Sequence, residues 1–169
     1  MSTPTLSAIE PDWSREAKGF IEWAPSRSLL MSIRAYQRHT TSAGLLHAML
    51  RPLAVVRYRF WSVITGADIP INTKIDGGLL IPHPNGIVIH PDVVIGPNCL
   101  IFHQVTIGMA KGGVPTIGGH VDIGAGAKIL GNITVGDYAV IGANAVLLGD
   151  LPAGTTAVGV PAKAVTRAV

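Results

Sequence analysis

Residues 117–147 read IGGHVDIGAGAKILGNITVGDYAVIGANAVL, and an aliphatic side chain falls on every sixth position: Ile117, Ile123, Ile129, Val135, Ile141 and Leu147. Toward the N-terminus the same beat lands on Ile69, Ile75, Ile81, Ile87, Val93, Cys99 and Val105, with one beat missed before Ile117. Glycine often follows the beat residue, as at Gly118, Gly124, Gly136 and Gly142, and small or aliphatic residues often precede it by two, as at Thr73, Val121, Ala127, Ala139 and Ala145. Self-similarity at a fixed period is the mark of a solenoid. A period of six fits neither an amphipathic helix nor an alternating strand. It fits a short strand and a tight corner, repeated, with each beat side chain turned into a narrow core. The pattern therefore predicts a mainly β chain folded as a parallel β-helix. With three hexapeptides to a triangular coil, residues eighteen apart stack at roughly 4.8 Å, so His83 faces Asp68 around a corner and His103 lies over Asn85.

Outside the repeat the chain changes character. Residues 1–66 lack the beat and read as an N-terminal α-helical cap, with helices near 13–23, 26–40 and 43–64. Pro11, Asp12 and Ser14 offer helix-start chemistry, and Gly66 is the natural C-cap. Leu29, Leu30, Ile33, Leu45, Leu46, Met49, Leu50, Leu53 and Val56 are the apolar residues expected to hold this cap together. The solenoid is expected over 67–160, a little over four coils, followed by a tail at 161–169. The missed beat coincides with a glycine-rich stretch, GMAKGGVP, which predicts a loop extruded at about 108–116.

Composition narrows the classes. Hydrophobic residues make up 48% and aromatics 5%, so the core is aliphatic and thin, and 20 glycines and 12 prolines suit many corners. The single cysteine excludes an intrachain disulfide and sits on the beat as a small core residue. The start is polar with no apolar signal region, and arginines interrupt the apolar stretch at 44–64, so the protein is read as cytoplasmic. A net charge of +3 is modest. The run Arg57-Tyr58-Arg59-Phe60-Trp61 reads as a helix that packs its aromatics and solvates its arginines. No nucleic-acid partner is assigned, and peripheral membrane contact stays open.

The segments ADIPINTKI, NGIVIHPDVVIG, QVTIG, IGAGAKILGNITVG, AVIGANAV and TTAVGVPAKAV carry a resemblance that spans Asp68 to Val165. In them the chain resembles the serine acetyltransferases and the related polysaccharide O-acetyltransferases of colanic-acid type. The resemblance implies a left-handed parallel β-helix of hexapeptide repeats, acetyl-CoA as donor, no metal, and a homotrimer whose caps can pair into a hexamer. It implies His83 as the general base, fifteen residues after its partner Asp68, with the spacing intact. It places the pantetheine arm between subunits along the coils of Ala125 and Ala143. Lys163, and with less support Lys111, would meet the phosphates of CoA.

Two departures bear on the acceptor. Serine acetyltransferases carry an aspartate directly before the base and an Arg-His pair at the end of the loop; Pro82, Gly113 and Val114 stand here. A zwitterion bound without counter-charges is costly. The sequence is therefore read as an O-acetyltransferase acting on a sugar hydroxyl in polysaccharide biosynthesis. The alternative is acetylation of L-serine in cysteine biosynthesis. A non-enzymatic solenoid is the further alternative, either a scaffold, against which the retained Asp68–His83 spacing speaks, or a γ-carbonic-anhydrase-like protein, which needs three convergent histidines where the phases of His83, His103 and His120 differ. His103 is expected to point inward against Asn85, either as a core polar pair or as a second active-site contribution. His90 and His120 take corner phases, and His39 and His47 have no visible partner.

Overall fold

The computed structural model describes residues 6–19 and 21–165. Thirteen short strands follow two helices: β1 (Lys74–Ile75), β2 (Val88–Ile89), β3 (Val94–Ile95), β4 (Leu100–Ile101), β5 (Thr106–Gly108), β6 (Thr116–Ile117), β7 (Asp122–Ile123), β8 (Lys128–Leu130), β9 (Thr134–Val135), β10 (Val140–Ile141), β11 (Val146–Leu147), β12 (Thr156–Gly159) and β13 (Ala162–Val165). They assemble into three parallel sheets, β1-β3-β6-β9, β2-β5-β8-β11 and β4-β7-β10-β12, the faces of a left-handed prism of about five turns. In the strands of the coils an outward residue precedes a buried one, as in β2, β3 and β6. The buried members, from Ile75 through Ile95, Ile117 and Val135 on one face, stack into one aliphatic column. Parallel pairing of such short strands is stable only because every coil is paired above and below.

The coil length is not constant, and this corrects the phase read from the sequence. Register pairs Ile75 with Ile95, Ile95 with Ile117 and Ile117 with Val135, steps of 20, 22 and 18 residues. The corner between Ile81 and Ile89 holds two extra residues, and the turn between Ile107 and Ile117 holds four. Together they make six, so the beat resumed in phase although the register had slipped. Between the two insertions the register residues are Ile89, Ile95, Ile101 and Ile107. Ile87, Val93, Cys99 and Val105 are their buried neighbours two positions earlier.

At the N-terminus, α1 (Pro25–Thr41) and α2 (Leu45–Thr65) form an antiparallel hairpin on the first coil. Pro25 opens α1 at a position where its missing N–H is not needed. Gly66 ends α2 at φ 63°, its N–H donating to the Ser62 carbonyl. Leu29, Leu30 and Ile33 join the solenoid core, and Tyr58 and Trp61 pack against it.

Three expectations differ. Among the described residues of 13–23 the one helical element is a 3₁₀ turn at Trp13–Arg15, because Glu16 turns inward to bind Arg34 and the Leu79 N–H instead of supporting a helix. Leu45, Leu46, Met49, Leu53 and Val56 do not hold the cap together; they are exposed. The expected tail at 161–169 begins as β13, antiparallel to β12 and extending its sheet.

Residues 6–12 run along one edge of the prism. Asn98 holds them, accepting from the Asp12 N–H and donating to the carbonyls of Ser7 and Glu10. His120, on that edge, contacts the Leu6 carbonyl at 2.9 Å and stacks on Tyr138, so it serves the N-terminal segment.

Candidate active site

The extra two residues of the first coil fall in the corner Pro82-His83-Pro84-Asn85-Gly86. Flanking prolines fix φ on both sides of His83. Gly86, at φ 70°, lets the chain fold back so that its N–H reaches the Gly66 carbonyl. His83 emerges exposed. The longer corner also changes its neighbour: His83 stacks on His103 of the next coil, ring centroids 6.0 Å apart at 77°, edge to face. His103 lies over Asn85, as the eighteen-residue stacking predicted, but no hydrogen bond joins their side chains among the described residues. The link between those two segments is instead the Gln104 N–H donating to the Asn85 carbonyl at 2.9 Å.

The same edge continues in later coils. The Gly126 N–H donates to the His103 carbonyl and the Asn144 N–H to the Ala125 carbonyl. Asn85, His103, Ala125 and Ala143 therefore form one rail, with His83 at its head. His103 is half-buried, and its Nδ1 is fully buried with no hydrogen-bond partner among the described residues. A buried polar atom left unpaired costs about 1–3 kcal/mol, and functional sites are where proteins tolerate such a cost.

Asp68 lies on the strand position beside Val88, where the chain leaves the His83 corner. No hydrogen bond, and no ion pair within 4.0 Å, joins its carboxylate to His83 among the described residues. Its charge is felt by Tyr58: burial first, and the Asp68 carboxylate second, push that phenol above its ordinary range.

The glycine-rich stretch is less extruded than expected. Ala110 and Gly113 exchange both backbone hydrogen bonds, at 3.1 and 3.2 Å. Between them Lys111 (φ 45°) and Gly112 (φ 80°) make a tight turn. This turn and Lys111 occupy a different prism edge from His83. A Cβ at Gly113 would lie 2.5 Å from the Asn132 Cβ, so no larger side chain fits there without movement. Val114 packs against the core. Lys163 is exposed on β13, opposite Val158.

Two features were missed in the sequence. A pocket of about 450 Å³ lies between the start of α1 and the strand leading into the His83 corner, and Pro82 is in its wall. Its charged groups are Glu22 and Arg27, an ion pair at 3.3 Å, each about a third to a half exposed. The histidine pair was the other, and the sequence carried its signal: Gly96 follows Ile95 and Gly108 follows Ile107, which marks the shifted register. His39 and His47 partner each other, Nδ1 to Nδ1 at 3.0 Å.

Residues 115–149 match the family model for the bacterial transferase hexapeptide (six repeats). A serine acetyltransferase of Helicobacter pylori is 51% identical over 108 residues, 62% of this chain and 63% of that protein. A probable serine acetyltransferase of Oryza sativa is 42% identical over 137 residues, 79% of this chain and 40% of that protein. Among solved structures, a serine acetyltransferase in complex with CoA superposes with TM-score 0.70 at 37% identity, covering 85% of this chain and 58% of that one. A soybean serine acetyltransferase complexed with serine gives 0.69 at 38%, covering 83% and 57%. The chain thus spans between 40% and 63% of the length of these proteins.

Proposed function

We propose that this hexapeptide-repeat protein, similar to serine acetyltransferases across its solenoid, is an acetyl-CoA-dependent O-acetyltransferase whose acceptor is the hydroxyl of L-serine or a close amino-acid analogue. The observation that carries the reading is the His83–His103 pair at the head of the rail that descends to Ala125 and Ala143. Small side chains along that rail let a thin pantetheine arm approach the backbone. His83 takes the acceptor hydroxyl proton as the oxygen attacks the thioester carbonyl. The tetrahedral adduct collapses, the C–S bond breaks, and the thiolate of CoA recovers the proton from the imidazolium. Asp68, on the strand position beside Val88, is proposed as the carboxylate partner of His83. Lys163 and Lys111 are proposed for the CoA phosphates. Because Lys111 lies on another edge from His83, the two meet at one site only between subunits, which supports a homotrimer.

The saccharide acceptor expected from Pro82, Gly113 and Val114 finds no support in the relatives and structures named above, all of them serine acetyltransferases. The charges missing from those positions have a substitute nearby. Glu22 and Arg27, in the pocket that ends at Pro82, suit the ammonium and carboxylate of an amino acid. A neutral hydroxyl acceptor remains the second reading, favoured by the Gly113 backbone packed against Asn132 where an arginine cannot stand. Thiol release from acetyl-CoA, measured with serine, homoserine and oligosaccharides, separates the two. The expected result is saturable turnover with serine, and a KM for serine raised about fivefold in Arg27→Ala with kcat little changed, the modest effect of a partly exposed charge. Turnover with saccharide and none with serine would establish the second reading.

A further inference from the structure

The two helices present a surface that the proposed chemistry does not use. On α2, Leu45, Leu46, Met49, Leu53, Val56, Phe60, Val63 and Ile64 are all exposed, from 45% at Ile64 to 82% at Val63. At 3.6 residues per turn these eight fall within about 100° of arc, a stripe roughly 29 Å long. The opposite face, with Ala54, Tyr58, Trp61 and Thr65, is the one turned to the protein. The helix thus has a second, outward apolar face. Trp23, 72% exposed, packs edge-on against Trp61, which contacts Phe60 of the stripe.

The charges around the stripe have one sign. Between Pro25 and Thr65 there are six arginines and no aspartate or glutamate, whereas the whole chain carries only +3. The remainder of the chain is therefore net acidic, and the positive charge is segregated onto the helical pair. Arg57 and Arg59 flank the stripe on its two sides, and neither has a carboxylate within 4.0 Å among the described residues. Two copies packed stripe to stripe would oppose arginine to arginine with no acid on either helix. That argues against a second copy as the occupant. Stacked bases would leave most of a 29 Å aliphatic stripe uncovered, which argues against nucleic acid. No helix among the described residues is long and apolar enough to cross a membrane.

We propose that α2 lies in the surface of an anionic membrane, its apolar stripe among the acyl chains and Arg57 and Arg59 reaching lipid phosphates. An apolar face flanked by basic residues is the arrangement that binds such surfaces, and aromatic side chains favour the headgroup level. The solenoid and the His83 edge then stand in water beside the bilayer, so acetyl transfer proceeds on the bound protein.

The test is flotation of the full chain with vesicles of phosphatidylcholine alone or with about 30% phosphatidylglycerol, at low and high salt, beside sedimentation without lipid. The protein is expected to float with the anionic vesicles, to release at high salt, and to bind neutral vesicles poorly. Arg57→Gln with Arg59→Gln should weaken binding about thirtyfold, from the usual contribution of a basic residue at an anionic surface. Leu53→Asp with Phe60→Asp should abolish it, with acetyl-CoA turnover in solution unchanged. Absence of flotation by protein with a cooperative thermal transition would overturn the proposal. So would Leu53→Asp/Phe60→Asp dissociating a wild-type assembly into smaller species, which would mean that a second copy covers the stripe.

Discussion

Replacing His103 by phenylalanine should make the protein more stable and less active. The Nδ1 of His103 is buried without a partner among the described residues, and its removal relieves a cost of about 1–3 kcal/mol. Phenylalanine keeps a ring against His83, where the centroids are 6.0 Å apart, and retains most of an edge-to-face contact worth about 0.5–1.5 kcal/mol. The benzyl group is slightly larger than the imidazolylmethyl group, and crowding in a tight corner takes back part of the gain. A net stabilisation of about 1 kcal/mol follows, a rise in Tm of roughly 2–4 °C for a chain of this size. Turnover should fall about tenfold or more, because a hydrogen-bonding ring beside the base is lost. Scanning calorimetry and thiol release on one preparation give both numbers. A lower Tm with undiminished turnover would refute the reasoning, since it would mean that Nδ1 is satisfied and plays no part in the site.

His83→Ala should lower kcat by roughly 10²–10⁴-fold with little change in acetyl-CoA affinity, and Asp68→Asn should cost less, as steady-state kinetics will show. Glu16 is 5% exposed and accepts from Arg34 at 2.9 and 3.1 Å and from the Leu79 N–H at 3.2 Å. Glu16→Gln should therefore cost about 3 kcal/mol, the low end for a broken buried pair because Arg34 keeps carbonyl acceptors, and lower Tm by about 6–12 °C. Burial pushes the Cys99 thiol up to about 12, so iodoacetamide at neutral pH should not modify it until the protein unfolds. The folded state holds that proton more tightly than the unfolded chain. Its contribution to stability is whole below the ordinary value of 9.0 and is lost as pH rises toward about 12, a decline that urea titration at alkaline pH will follow.

The fold was legible because a solenoid writes its geometry once per corner. Each coil needs an aliphatic residue at fixed spacing and a residue that permits the turn, and both survive in the letters from Ile117 to Leu147. Helix boundaries at Pro25 and Gly66 were equally readable, since each rests on a local backbone property. The failed helix at 13–23 turns on a contact eighteen residues away, Glu16 with Arg34, which no local pattern records. The apolar residues of α2 were assigned to the cap's interior because the sequence gives periodicity without direction. Two apolar faces on one helix read as one broad apolar helix.

The site was half legible, and the reason is arithmetic. His83 stood out through the resemblance, by its spacing of fifteen from Asp68, and Ala125 and Ala143 lie where the register is regular. His103 was misplaced because the insertion of two residues ahead of it was hidden by the insertion of four after it. A histidine read as pointing into the core instead stands on the corner beside His83. The same two insertions shape the chemistry: one lengthens the corner that exposes His83 above His103, and the other makes the turn that sets Lys111 on a neighbouring edge. A protein built of equal hexapeptides would have stacked residues eighteen apart on every edge. This one departs from equality in the coils that carry the catalytic candidates, so the departures themselves, found by asking which aliphatic residue each glycine follows, are the positions to search for function.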